Sequence, residues 1–206
     1  SGSGAFGSIN QFKRDLAAEI SATLAFSAIK NNDKVGLIIF TDTVELFIAP
    51  RKGRKNVLRI LREIFFFKPK SRRTNIASAL TLAARILKRR TIVFLVSDLM
   101  DKNYDDALKL MNKKHDFVTI HISDPLETEL PRVGLVELTD AETGEHFLAD
   151  TSDAMFRKNY ELRMKQLAEQ RKKQFQKLQI DMVGVSTARS YIKPLAAFFR
   201  QRDARY

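Results

Sequence analysis

The run Thr91-Ile92-Val93-Phe94-Leu95-Val96 constrains this chain more than any other segment, because it is apolar on both faces and is closed at once by Ser97-Asp98. A strand with no polar face needs cover on each side, which is the situation of a central strand in an α/β sheet. Val35-Gly36-Leu37-Ile38-Ile39-Phe40 has the same character, and Asp116 to Ile122 reads as a third strand. All three are expected to be interior strands. Stretches with helical spacing separate them, and strands alternating with helices imply a mostly parallel sheet flanked by helices on both faces.

The helical stretches are read from their apolar periods. From Ile9 to Lys30, the residues Phe12, Leu16, Ile20 and Leu24 recur every four positions, as on an amphipathic helix. After Thr41-Asp42-Thr43, Val44 to Ile48 reads as the edge strand of a hairpin. Val57, Leu58, Leu61, Ile64 and Phe65 form a helix ending before Pro69, and Thr74 opens another with the stripe Ile76, Leu80, Ala83 and Leu87. Tyr104 to Lys114 is helical. Gly134 to Leu138 is a strand that returns through Thr143-Gly144 toward Phe147 and Leu148. Thr151-Ser152-Asp153 caps a long charged helix to about Gln179, Ile180 to Val185 is a last strand, and Tyr191 to Arg200 a last helix. With no repeat or low-complexity linker, a single domain spanning 1–206 is expected.

The chain has 206 residues, 44% of them hydrophobic and 29% charged, a globular composition. It holds no cysteine, which excludes disulfides, thiolate metal sites and a cysteine nucleophile, and suits a reducing compartment such as the cytoplasm. No stretch reaches the roughly 20 apolar residues of a membrane span, so none is expected. The net charge of +12 raises the question of nucleic acid. Arg51 to Arg62 and Arg171 to Lys177 carry much of it, but their cations alternate with apolar residues as on a solvated helix face. No nucleic-acid partner is expected; the charge suits an acidic protein surface instead. His115, His121 and His146 lack the spacing of a metal pair and read as structural or surface residues. The Walker-type Gly-Lys-Ser/Thr and the Gly-x-Ser-x-Gly elbow are absent from the sequence, so phosphate-loop nucleotide binding and serine hydrolysis have no local support.

In open α/β sheets, ligands gather beyond the carboxyl ends of the strands. Three polar segments have that character: Ser1-Gly2-Ser3 before the first helix, Thr74 at a helix start, and Asp98 after the strand from Thr91. Each has a plainer reading alone, Ser1 to Gly4 as a linker, Thr74 as an N-cap and Ser97-Asp98 as a cap. Together, hydroxyl and carboxylate oxygens without thiol or imidazole make the ligand set of a hard cation such as Mg²⁺, with Mn²⁺ and Ca²⁺ as alternatives.

At these residues the sequence resembles von Willebrand factor A domains, which place an Asp-x-Ser-x-Ser motif, a distant Thr and a distant Asp around one metal. Ser1, Ser3, Thr74 and Asp98 match that set. The resemblance narrows to the DUF 58 branch through Leu24-Ala25-Phe26-Ser27-Ala28, Asn32-Asp33-Lys34-Val35-Gly36-Leu37, Phe40-Thr41-Asp42, Arg73-Thr74-Asn75, Val96-Ser97-Asp98 and Leu130-Pro131-Arg132-Val133-Gly134-Leu135. It implies a Rossmann-like von Willebrand factor A-like fold in the C-terminal portion of a longer bacterial protein. It also implies a metal-ion-dependent adhesion site that grips an acidic side chain of a protein partner, either a MoxR-type AAA+ ATPase or its client. The chain would then act by binding and not as an enzyme. Two departures stand out. The motif's leading Asp would lie two residues before Ser1, on the first central strand, so either residues precede Ser1 in the full protein or the sheet has a gap there, and the metal is expected to be weakly held or absent. Asn75 stands where relatives often carry Asp. The rival readings are a basic nucleic-acid-binding module and a metal-assisted hydrolase; salt-dependent DNA binding insensitive to EDTA, or phosphoester turnover, would distinguish them.

Overall fold

A computed structural model describes residues 3–71, 73–139 and 146–204, with the side chains at 3–11, 138–139 and 146–147 excepted. The chain divides into two units, 15–120 and the pair of segments 1–14 with 121–206. Helix α1 (Ser3–Lys30) and strand β4 (Asp116–Ser123) have residues in both.

Unit 15–120 opens with a β-hairpin. Strand β1 (Val35–Phe40) pairs antiparallel with β2 (Val44–Arg51) through Leu37–Ile48, Ile38–Phe47 and Ile39–Leu46, with register shifts at either end. Gly36 sits at the first irregularity. A Cβ there would stand 2.9 Å from the Ile48 carbonyl oxygen and 3.0 Å from Cγ of Pro50, a backbone atom and a ring that cannot rotate away. Gly36→Ala should therefore cost about 1–3 kcal/mol in urea unfolding. Gly184, on strand β7 (Asp181–Ser186), has nothing within 4 Å of its own Cβ position, so Gly184→Ala should fall within about 0.5 kcal/mol of the parent. Equal effects at the two sites would refute the close approach.

Helix α2 (Arg54–Phe66) buries Val57, Ile60 and Leu61, at the i, i+3, i+4 spacing of one helix face. Val57 and Leu61 pack with Ala22 and Ala25 of α1, and Ile29 and Val35 lie against that cluster. Helix α3 (Ile76–Ile86) buries Ile76, Ala79, Leu80, Ala83 and Ala84, and small alanines on this face let it pack closely with α4 (Asp105–Lys114), which buries Ala107, Leu108 and Met111.

The main sheet has the order β3-β4-β7, with β3 spanning Ile92–Ser97. Its strands are parallel: the Asp116 N–H bonds the Thr91 carbonyl where β3 and β4 begin (3.0 Å), and the Thr187 N–H bonds the Ser123 carbonyl where β4 and β7 end (3.0 Å). The protein is thus mixed α/β, a parallel sheet flanked by helices.

The expectation of three interior strands holds for one. Strand β4 lies between β3 and β7 and buries Phe117, Val118, Thr119, Ile120 and Ile122. Among the described residues, β1 pairs only with β2 and β3 only with β4, so each is terminal in its sheet. Every residue of β1 and all of β3 but Leu95 is half-buried or exposed. On α1, the expected face is corrected at Phe12, which is 59% exposed, whereas Ile20, Ala22, Ala25 and even Lys13 are buried.

In the unit formed by 1–14 and 121–206, β5 (Leu135–Thr139) and β6 (His146–Asp150) form an antiparallel hairpin. Leu130, Val136 and Ala149 make a small core with Phe156 and Tyr160 of α5 (Ala154–Lys177), whose N-terminus is capped by Asp153 accepting from the Met155 N–H at 2.7 Å. Helix α6 (Ile192–Asp203) packs on β7 and reaches it through Arg202, 3.3 Å from Asp181 Oδ2. Among the described residues, no helix is long and apolar enough to cross a membrane.

Candidate metal centre

The carboxyl ends of β1 and β3 are the polar end of unit 15–120, and the start of α3 connects them. Past β1, the Thr41 carbonyl accepts the Asn75 N–H at 2.8 Å. The Thr41 hydroxyl lies 2.5 Å from Glu45 Oε1 and 3.1 Å from Asp42 Oδ1, and the Glu45 carboxylate takes the Lys70 N–H at 3.0 and 3.2 Å. Hydrogen bonds from Ser71 and then Thr41 hold the Asp42 carboxyl below its ordinary pKa, and the Thr41 hydroxyl does the same for Glu45. Both carboxylates therefore fasten the 70–75 loop to the hairpin.

On the other side, the Ile76 N–H donates to Asp101 Oδ2 at 2.7 Å, while Asp101 Oδ1 accepts from the Lys102 N–H at 2.7 Å. Asp101 thus satisfies one of the N–H groups that a helix start leaves free, and ties α3 to the loop after β3. In that loop Ser97 Oγ accepts from the Leu99 N–H (3.0 Å), and Asp98 Oδ1 from the Met100 N–H (3.2 Å). Leu99 has φ 57 and is 1% exposed, so a bulky residue holds a left-handed backbone immediately after Asp98. Such a conformation costs roughly 1–2 kcal/mol and persists where the surroundings enforce it.

Of the residues expected at the site, Thr74 and Asp98 lie on these two loops, Thr74 exposed and Asp98 half-buried. Ser1 is outside the described residues. Ser3 opens α1 instead of preceding it, and its side chain is outside the described residues. The N-cap of α3 is Asn75, which accepts from the Ser78 N–H at 2.8 Å; Thr74 stands one residue before it. Among the described residues, no three His, Asp or Glu side chains cluster as a metal cage. A carboxylate and a hydroxyl are hard oxygen donors, the type that Mg²⁺ accepts while keeping most of its waters, and a single carboxylate brings little charge. Sequence reasoning missed Asp101, Thr41 and Glu45. The signal for Asp101 was a second acid three residues past Asp98 in a loop that must turn.

A family profile described as protein of unknown function DUF58 matches residues 1–173. The chain belongs to this family. Among curated relatives, an uncharacterised protein of Mycobacterium tuberculosis is 31% identical over 142 residues, 68% of this chain and 45% of that protein. An uncharacterised protein of Mycobacterium bovis matches to the same extent, and one of Mycobacterium avium is 32% identical over 100 residues, 47% of this chain and 59% of its own length. The DUF58 chain therefore spans about half the length of the curated relatives it matches. Among solved structures, the conserved hypothetical protein BatB from Bacteroides thetaiotaomicron aligns at a TM-score of 0.49 with 13% identity, covering 87% of this chain and 84% of that one.

Proposed function

We propose that this chain is a divalent-cation-dependent protein–protein interaction module of the von Willebrand factor A-like kind, acting by binding rather than by turnover. Thr74 and Asp98 supply a hydroxyl and a carboxylate, and an acidic partner side chain fills a further coordination position; Ser1 and Ser3 enter the set through the resemblance alone. The observation that carries the reading is the Ile76 N–H to Asp101 bond at 2.7 Å, which joins the loop of Thr74 to the loop of Asp98 at the carboxyl end of the strands. The resemblance adds the partner, a MoxR-type AAA+ ATPase or its client, and the cysteine-free sequence suits a meeting in the cytoplasm.

The test is calorimetric titration of Mn²⁺ into the chain, into a version carrying Asp two residues before Ser1, and into that version with Asp98→Ala. Binding to the chain itself should be weak, because a Mg²⁺-type site draws its affinity from carboxylate charge. The added Asp should tighten it by about tenfold or more, and Asp98→Ala should remove that gain. Equal affinity in all three would refute the site.

A further inference from the structure

At the amino ends of β3 and β4, opposite the loops of Thr74 and Asp98 along β3, a cleft of about 380 Å³ lies between the end of α3 and the end of α4. Arg85, Lys88, Arg89, Arg90 and Lys114 line it, all exposed, and no carboxylate does. Cations at a helix C-terminus are ordinary complements of its dipole, and Lys114 plays that part by donating to the Ala84 carbonyl at 3.2 Å. Four further cations around one cleft exceed what a single helix end calls for, and they repel one another.

The second feature is His115, also in the lining and only 3% exposed. Neither of its ring nitrogens has a hydrogen-bond partner. Burying an unpaired polar group costs about 1–3 kcal/mol, so a partner from outside the chain would relieve it. Burial first, and then the charge of Lys114, hold the imidazole below its ordinary pKa, so at neutral pH it is uncharged and one ring nitrogen carries a proton to donate.

We propose that this cleft binds a small phosphate-bearing anion, a phosphate monoester or a pyrophosphate, whose charge the arginines and lysines neutralise and one of whose oxygens accepts from His115. Several cations suit a multiply charged group better than a lone carboxylate, and arginine forks match phosphate oxygens two at a time. The volume is that of a small-ligand site, and the unpaired nitrogens of His115 lie buried beneath its lining, where a compact group that works its way in would reach them sooner than an extended nucleic-acid backbone that tracks along the surface.

Calorimetry with inorganic pyrophosphate on the full chain tests this, with a glycerol phosphate arm for the monoester. Saturable binding is expected, weakened at least about tenfold by Arg89→Gln with Arg90→Gln. Lys55→Gln with Arg59→Gln, exposed on α2, should leave it unchanged. His115→Phe should weaken binding several-fold without lowering the urea midpoint, since it removes an unpaired buried imidazole. Pyrophosphate should also shift the His115 ring nitrogen resonances. Absence of saturable binding, equal weakening by the α2 pair, or a short single-stranded oligonucleotide binding more tightly with no shift at His115 would each overturn the proposal, the last in favour of nucleic acid.

Discussion

Asp124→Ala should lower stability by about 3 kcal/mol in urea unfolding, while Asp124→Asn recovers more than half of that. Asp124 follows β4 and is 7% exposed. Its carboxylate accepts from the Leu126 N–H at 2.9 Å and from the Thr187 hydroxyl just past β7, and so joins two strand ends. Its own N–H donates to Glu127 Oε2 at 3.1 Å, closing a capping box on the 3-10 turn Pro125–Glu127. Glu127 in turn holds Lys13 at 2.5 Å, with Lys13 itself buried. Alanine would leave two donors without their acceptor and free the turn that positions Glu127 against a buried cation, and each charged hydrogen bond of this kind contributes about 1.5–3 kcal/mol. Asparagine keeps an acceptor for Leu126, and the Thr187 hydroxyl can rotate to accept. A loss below about 0.5 kcal/mol for alanine would show that the network is a surface feature.

Phe175→Ala should cost about 3–5 kcal/mol, the range for truncating a fully buried aromatic ring, whereas Phe175→Leu should cost less than about 1.5 kcal/mol. Helix α5 has 24 residues, and Phe175 is the one buried among them, at 1% exposure. Polar residues fill most of the remaining turns, so this ring anchors the helix's C-terminal end, where the Phe175 carbonyl also accepts the Ile180 N–H at 3.0 Å leading into β7. Tolerance of alanine would mean that charged side chains hold α5 in place.

Helices α2, α3 and α4 were legible because their buried residues recur at helical spacing, and strands β1 and β3 because each is a short continuous apolar run. The hairpin β1/β2, the capped start of α5 and the last strand fall within a few residues of their expected places. The rank of a strand within its sheet was not legible. Ile92 to Val96 and Val35 to Phe40 declare an appetite for cover on both faces, but their pairing depends on which edges come together. Lys13 reads locally as a solvated cation, and its burial is decided by Glu127, 114 residues away. At the candidate site, Thr74 and Asp98 could be picked out as oxygen donors near strand ends. The N-cap fell one residue later than expected, on Asn75, and the bracing by Asp101 comes two residues after a left-handed Leu99, a backbone conformation that apolar spacing does not encode.

The interleaving of the two units along the chain has a kinetic consequence. Segment 15–120 is continuous, so during synthesis it can gather its hairpin and its α3–α4 pair before the remainder has left the ribosome. Segment 1–14 is translated first yet belongs with 121–206. Lys13 must wait for Glu127, and the entropy of closing so long a loop grows only as about (3/2)RT ln n. The delay is therefore set by translation more than by chain search. At about 5–20 residues per second, the amino-terminal turns of α1 stay without their charge partner for several seconds on each nascent chain.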